Sequence, residues 1–190
     1  MNFLICVWSV KTLCRFFSII VLCAMNLIVV KFYMRLKTMK CVEIYTDGSC
    51  LNNPGFGGYA YIVRYKEHEK VGVGAEENTT NNRMELKAII KALEILKEPC
   101  EVYLYTDSNL MVQSINEWLE GWVKKNFKGR KNADLWREYL RVSKEHKIRA
   151  IWIKAHNGHK ENERCDTLAR EAALQLQRKH KEAQWLNSNS

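Results

Sequence analysis

Two copies of the tripeptide Tyr-Thr-Asp stand at the ends of strand-like apolar runs. One closes Val42-Glu43-Ile44-Tyr45-Thr46-Asp47 and leads into Gly48-Ser49, and the other closes Val102-Tyr103-Leu104-Tyr105-Thr106-Asp107 and leads into Ser108-Asn109. If the two strands are parallel neighbours, about 4.8 Å apart, their terminal carboxylates stand side by side. Like charges that close resist joint ionisation unless a cation lies between them. Carboxylate oxygens are hard donors, so the cation they suit is a divalent metal. One Asp before Gly or Ser is an ordinary turn starter. The repeat in an identical setting argues for a shared site.

Two further acids join them. Glu85, in Asn81-Asn82-Arg83-Met84-Glu85-Leu86, falls at the head of a helical pattern. Asn82 and Glu85 have the spacing of a capping box, and an acid in a first turn suits the helix dipole. Yet Glu85 also shares a face with Ala88, Ile89 and Ala92, so it borders a buried stripe. Asp166 lies early in the last helical pattern, with Arg170 four residues on, the spacing of a surface ion pair. Singly, each acid has a structural explanation. In order they read Asp, Glu, Asp, Asp on strand, helix, strand, helix.

The elements that must position them are legible from Lys40 onward. Cys41–Thr46 is a strand, Asn52-Asn53-Pro54-Gly55 carries turn chemistry, and Gly58–Tyr65 and Glu69–Ala75 complete an antiparallel meander. A helix is expected over Asn82–Lys97, with Leu86, Ile89, Ile90 and Leu93 at helical spacing and Pro99 ending it. Glu101–Thr106 is a strand reached through a helix and so parallel to a neighbour. Helical stretches follow at Leu110–Leu119 and Asp134–Glu145, a fifth strand at Ile148–Ile153, and a last helix from Glu161 to about Lys181. The fold class is α/β, a mixed five-stranded sheet flanked by helices. No G-x-G-x-x-G follows the first strand, which disfavours a dinucleotide fold.

The 190 residues carry 30 Lys and Arg against 21 Asp and Glu. Five of the basic residues (Lys11, Arg15, Lys31, Arg35, Lys37) lie in residues 1–38, which hold no acid, so the remainder is only mildly basic. Such a balance is compatible with an anionic partner without arguing for one. Cys41, Cys50, Cys100 and Cys165 are widely spaced with no C-x-x-C pair, which reads as a reduced protein without a zinc site. Within the leader, Phe16–Val30 is apolar but shorter than the roughly 20 residues that span a bilayer. Either Met34 or Met39 opens the working protein, or residues 1–38 are an anchor or targeting segment. The expected organisation is a leader over 1–38, a catalytic domain over 39–182 and a polar tail over 183–190.

The runs Ile44-Tyr45-Thr46-Asp47-Gly48-Ser49-Cys50, Thr80-Asn81-Asn82-Arg83-Met84-Glu85-Leu86, Thr106-Asp107-Ser108 and His156-Asn157-Gly158-His159-Lys160-Glu161-Asn162-Glu163-Arg164-Cys165-Asp166 closely resemble type 1 ribonuclease H of bacteria. The resemblance covers Met39 to about Gln177. It implies a ribonuclease H-like sheet and hydrolysis of the RNA strand of RNA–DNA hybrids, leaving 5′-phosphate and 3′-hydroxyl ends. It also implies two magnesium ions, with manganese a substitute, held by Asp47, Glu85, Asp107 and Asp166. His156 resembles the family's mobile histidine, which assists proton transfer, although Ala155 stands where members often have Gly. Cys50, Asn53, Asn81, Asn82 and Gln113 match positions that contact the sugar-phosphate backbones. The stretch Gly121–Ala133 matches a basic protrusion that grips the DNA strand through Lys124, Lys125 and Lys128 beside Trp118, Trp122 and Phe127, and it is a few residues shorter here than in the best-known form. His159 is expected to open the last helix structurally. A monomer acting in the cytoplasm follows from the resemblance, or a membrane-tethered or organellar enzyme if residues 1–38 are expressed. The rivals are a DNA nuclease or resolvase on the same sheet and a hybrid-binding module without catalysis.

Overall fold

The computed structural model describes residues 39–155 and 157–189. The leader, residues 1–38, and His156 lie outside the described residues. Five strands form one sheet: β1 (Lys40–Leu51), β2 (Gly55–Tyr65), β3 (His68–Thr79), β4 (Cys100–Thr106) and β5 (Lys147–Trp152), in the order β3-β2-β1-β4-β5. The first three are antiparallel, and β1, β4 and β5 run parallel. This is the mixed sheet expected from two short hairpin connections followed by helical crossovers.

The register of the central pair has the largest consequence for the site. Residues of β1 and β4 pair at a constant offset, from Lys40 opposite Cys100 to Tyr45 opposite Tyr105. The two Tyr-Thr-Asp copies therefore run in step, and Asp47 and Asp107 leave the same edge of the sheet. Strand alternation sends successive side chains to opposite faces. Ile44 joins a core cluster with Leu86, Ile89 and Leu104, whereas Tyr45 packs with Ala60, Ile62, Cys165 and Ala169. Both faces are thus covered, as parallel strands require.

Helix α1 (Asn81–Glu94) buries Met84, Leu86, Ala88, Ile89, Ile90, Ala92 and Leu93. It stops three residues short of the expected Lys97, ahead of Pro99. Next come α2 (Asn109–Gln113), a π-helical turn (Ser114–Trp118) and α3 (Leu119–Lys124), where the sequence suggested one helix. The turn buries Ser114, and the carboxamide of Asn116 pairs with both main-chain groups of Ala150, through Nδ2 to its O (2.8 Å) and from its N–H to Oδ1 (3.2 Å). Helix α4 (Ala133–Ser143) buries Leu135, Trp136 and Tyr139. Helix α5 (Lys160–Ser188) lies on β1 and β2 through Cys165, Ala169 and Ala173 and continues past the expected Lys181, so residues 183–188 extend the helix. Its N-cap is His159, as anticipated. Among the described residues no helix is long and apolar enough to cross a membrane.

Two glycines make the close approaches that the site needs. A Cβ on Gly48 would lie 2.2 Å from the backbone N of Glu85, and one on Gly58 would lie 2.1 Å from the carbonyl O of Ala169. The first lets α1 press its head against the end of β1, and the second seats α5 on β2.

Candidate active site

Asp47 is the most enclosed of the four acids, 7% exposed within β1 just past its last pair with β4, while Glu85, Asp107 and Asp166 are half-buried. Its Oδ1 accepts the Gly48 N–H at 2.7 Å. Burial, joined by the charges of Asp107, Asp166 and Glu85 and opposed by that hydrogen bond, pushes its pKa up to about 8. The ion-free folded site therefore resists holding Asp47 ionised. All four acids, from four separate elements, lie within one electrostatic neighbourhood.

Glu85 reaches this corner because of the contact at Gly48. The capping box read from Asn82 and Glu85 does not form: Thr80 is the N-cap, and its side chain makes no capping bond. The Glu85 carboxylate instead accepts from Asn81 Nδ2 at 2.8 Å and from Ser108 Oγ, which ties the head of α1 to the turn after β4. Its pKa is raised by burial, an effect the Ser108 and Asn81 hydrogen bonds oppose and the Asp107 charge reinforces. Asp107 is held from two sides. Asn162 Nδ2 donates to its Oδ2 at 3.2 Å, and the indole Nε1 of Trp152 donates to its main-chain O at 3.0 Å. Asp166, in the second turn of α5, opens onto a groove lined by Ser49, Cys50, Asn52, Arg170 and Gln177. The ion pair that its spacing to Arg170 allows is not among those of the described residues.

The polar residues expected to meet a backbone are partly engaged in building the site. Asn53 Oδ1 accepts the Asn81 N–H at 3.2 Å, and Cys50 Sγ donates to the Thr79 carbonyl at 3.3 Å. The first contact ties the β1–β2 turn to the head of α1, and the second ties the end of β1 to the end of β3 just before that helix. Asn82 is exposed in the first turn of α1, and Gln113 ends α2 half-buried.

The basic segment starts at α3. Lys124, Lys125 and Lys128 are exposed, and Lys124 pairs with Glu120 at 3.2 Å. Trp118 is 38% exposed, its ring centroid 5.9 Å from that of Trp122, and the Arg130 guanidinium lies 5.1 Å over Trp122. Phe127 departs from expectation. It is 6% exposed, takes a left-handed φ of 58°, and belongs to the main core. It roots the segment instead of offering a ring to a base. Arg83 forks onto Asp134 at 2.7 and 3.1 Å, joining α1 to α4 behind the basic segment.

The residue types suit divalent cations: four carboxylates supply hard oxygen donors and the negative charge such ions need. Among the described residues, however, no three acidic, histidine or cysteine side chains converge on a common point. Glu85 and Asp107 are each engaged with neighbouring amide or hydroxyl groups. The corner is a shared field rather than a closed cage, which fits ions that complete their shell with water and phosphate.

An RNase H family model matches residues 39–174. The chain belongs to the RNase H family. Campylobacter jejuni proteins described as Ribonuclease H and Ribonuclease HI are 75% identical over 144 residues, covering 76% of this chain and 99% of the relative. A Ribonuclease HI of Helicobacter pylori is 61% identical over 132 residues, 70% of this chain and 92% of its own. Among solved structures, LC9-RNase H1, described as a type 1 RNase H with the type 2 active-site motif, is 28% identical with a TM-score of 0.66, covering 73% of this chain and 74% of its own. The chain is thus a type 1 ribonuclease H by family and an enzyme, with the fold that the sequence predicts. The expected leader falls outside the matched range.

Sequence reasoning missed Ser108, Asn162 and Trp152, which bind Glu85 and Asp107. Ser108 and Asn162 sit inside motifs that were recognised, but their side chains carry no charge to signal a role. Only the tertiary pairing of β4 with β5 and α5 brings Trp152 and Asn162 to Asp107.

Proposed function

We propose that this ribonuclease H cleaves the RNA strand of RNA–DNA hybrids with two divalent ions, magnesium foremost, leaving 5′-phosphate and 3′-hydroxyl ends. The observation that carries the reading is the buried Asp47 carboxylate, whose pKa is raised to about 8 with Asp107, Asp166 and Glu85 adding to the effect of burial. Asp47, Glu85, Asp107 and Asp166 would hold the ions. Two such ions, when bound, stabilise charge on the entering and leaving oxygens and supply hydroxide near neutral pH. The identity of 75% to proteins described as Ribonuclease H supports the substrate class.

The chain's own residues have distinct tasks in this reading. His156 moves a proton at its imidazole, histidine being the side chain that ordinarily changes charge near neutrality, and Ala155 stands where a Gly would leave the backbone freer. Cys50, Asn53, Asn81, Asn82 and Gln113 sense the sugar-phosphate backbones through short polar groups. Lys124, Lys125 and Lys128 neutralise phosphates of the DNA strand beside Trp118 and Trp122. Binding is then largely independent of sequence.

We place catalysis in residues 39–182, acting as a monomer in the cytoplasm. Mass spectrometry of the native amino terminus decides whether residues 1–38 accompany it. The function is tested with a substrate panel of hybrid, single-stranded RNA and duplex DNA, with magnesium and with a chelator, followed by determination of the cut ends. Magnesium-dependent cutting confined to the RNA of the hybrid is expected. Preferential cutting of duplex DNA overturns the reading in favour of a DNA nuclease.

A further inference from the structure

Asn162 is an unexpected residue to bury. It is 2% exposed in the first turn of α5, and its Oδ1 meets no hydrogen-bond donor. A buried acceptor left without a partner is destabilising, because it gives up its bond to water and gains none. An apolar side chain of similar shape would avoid that cost. What Asn162 does have is a single directed contact, from Nδ2 to Oδ2 of Asp107 at 3.2 Å. Reversing the amide would turn its carbonyl toward a carboxylate, so this contact fixes the orientation of the group. Asp107 has no other side-chain hydrogen bond among those of the described residues, and its main-chain O is held separately by Trp152 Nε1 at 3.0 Å.

We propose that Asn162 is a positioning residue: it clamps Oδ2 of Asp107 and leaves Oδ1 as the oxygen presented to a divalent cation. The inference rests on the metal-binding reading of the four acids and deepens it. A free carboxylate at the end of a strand rotates about its last bond and can offer either oxygen or both. One amide donor on a buried, helix-borne side chain removes that freedom ahead of ion binding. Trp152 fixes the backbone of Asp107 and Asn162 fixes its head, so the acid is set at both ends. Outer groups that orient a metal ligand typically change ion affinity by roughly 10–100-fold when removed.

The test uses the full chain and three readouts. In metal-free 15N-labelled protein, Asp107→Ala is expected to shift the side-chain NH2 resonances of Asn162, because their acceptor is gone. Unchanged resonances would overturn the contact itself, whatever the enzyme cleaves. The second readout is calorimetric titration of manganese or magnesium into Asn162→Leu and Asn162→Ala without nucleic acid. The Leu variant is expected to melt at or above the wild-type temperature, since it removes the unpartnered carbonyl, yet to bind the ion at least about 10-fold more weakly. A lowered melting temperature with wild-type ion affinity per folded molecule makes Asn162 a packing residue and overturns the positioning role. The third readout is the magnesium midpoint for hybrid cleavage, expected to rise in both variants. If the wild type itself gives the same titration as Asp107→Ala, the metal-binding reading of Asp107 fails and the positioning role fails with it, while the resonance shift still reports the contact.

Discussion

Tyr45 and Tyr105 stack with ring centroids 4.8 Å apart and planes 14° from parallel, two residues before Asp47 and Asp107. They are also register partners in the β1–β4 ladder. The stacking spans the strand spacing itself, so the repeated tripeptide acts as a gauge that delivers two carboxylates at equal height. A slip by one residue would send one of them to the opposite face.

Gly48→Ala should damage both fold and catalysis. The added Cβ would lie 2.2 Å from Glu85 N and 2.5 Å from Met84 C, both backbone atoms of a packed helix. Overpacking of this kind costs about 1–3 kcal/mol, and the displacement falls on Glu85 itself. Chemical denaturation and hybrid cleavage measured side by side should both decline. Full activity would mean that α1 can withdraw without consequence for the site.

Asp47→Asn should abolish cleavage while stabilising the ion-free protein at high pH. The folded pKa of about 8 lies above the ordinary 3.8, so the folded state holds the proton more tightly than the unfolded chain. Stability from this group is complete below about pH 4 and is lost as pH rises toward 8. Asparagine is neutral throughout. In chelator the variant should therefore exceed the wild type by a few kcal/mol near pH 8, since each tenfold difference in proton affinity between the folded and unfolded states is worth about 1.4 kcal/mol. The two should converge near pH 4. Thermal melts across that range measure the gap, and added divalent ion should narrow it.

Replacing Lys124, Lys125 and Lys128 by alanine should weaken hybrid binding and flatten its salt dependence. Each phosphate left without its lysine removes about 0.9 from the slope of log affinity against log salt. Unchanged affinity at low salt would show that the segment is no grip.

Phe127→Ala separates a structural ring from a stacking one. The side chain belongs to the main core and lies 5.2 Å beneath the Arg137 guanidinium. Truncation should cost about 3–5 kcal/mol of stability. Affinity per folded molecule should fall less than in Trp118→Ala, whose ring is exposed. Denaturation and binding isotherms on the two variants make the comparison.

What could be read from the chain depended on how far apart the informative residues lie. The strands and α1 announce themselves through local periodicity, and the repeated Tyr-Thr-Asp is enough to pair Asp47 with Asp107 from sequence alone. Glu85 illustrates the limit. Its spacing to Asn82 is a legitimate capping signature, yet the close approach at Gly48 and the hydroxyl of Ser108 claim the carboxylate instead. Phe127 illustrates another. An aromatic between lysines looks available to a base, and only the tertiary packing reveals that it faces the core. The π-helical turn at Ser114–Trp118 had no local signal because the demand for it comes from Asn116 reaching Ala150 on β5. The length of α5 exceeds the expectation because residues 183–188 are exposed, Trp185 and Leu186 included, and add nothing to the buried stripe of Cys165, Ala169 and Ala173.

Two of the four acids come from the strands at the centre of the sheet, and two from the opening turns of helices laid against it. Central strands are among the last regions of a protein to open, and helix ends among the first. Warming should thus dismantle the catalytic quartet unevenly, with the helix-borne pair drifting while the strand-borne pair keeps its separation. Turnover would then fade at temperatures where the ladder hydrogen bonds still resist solvent exchange.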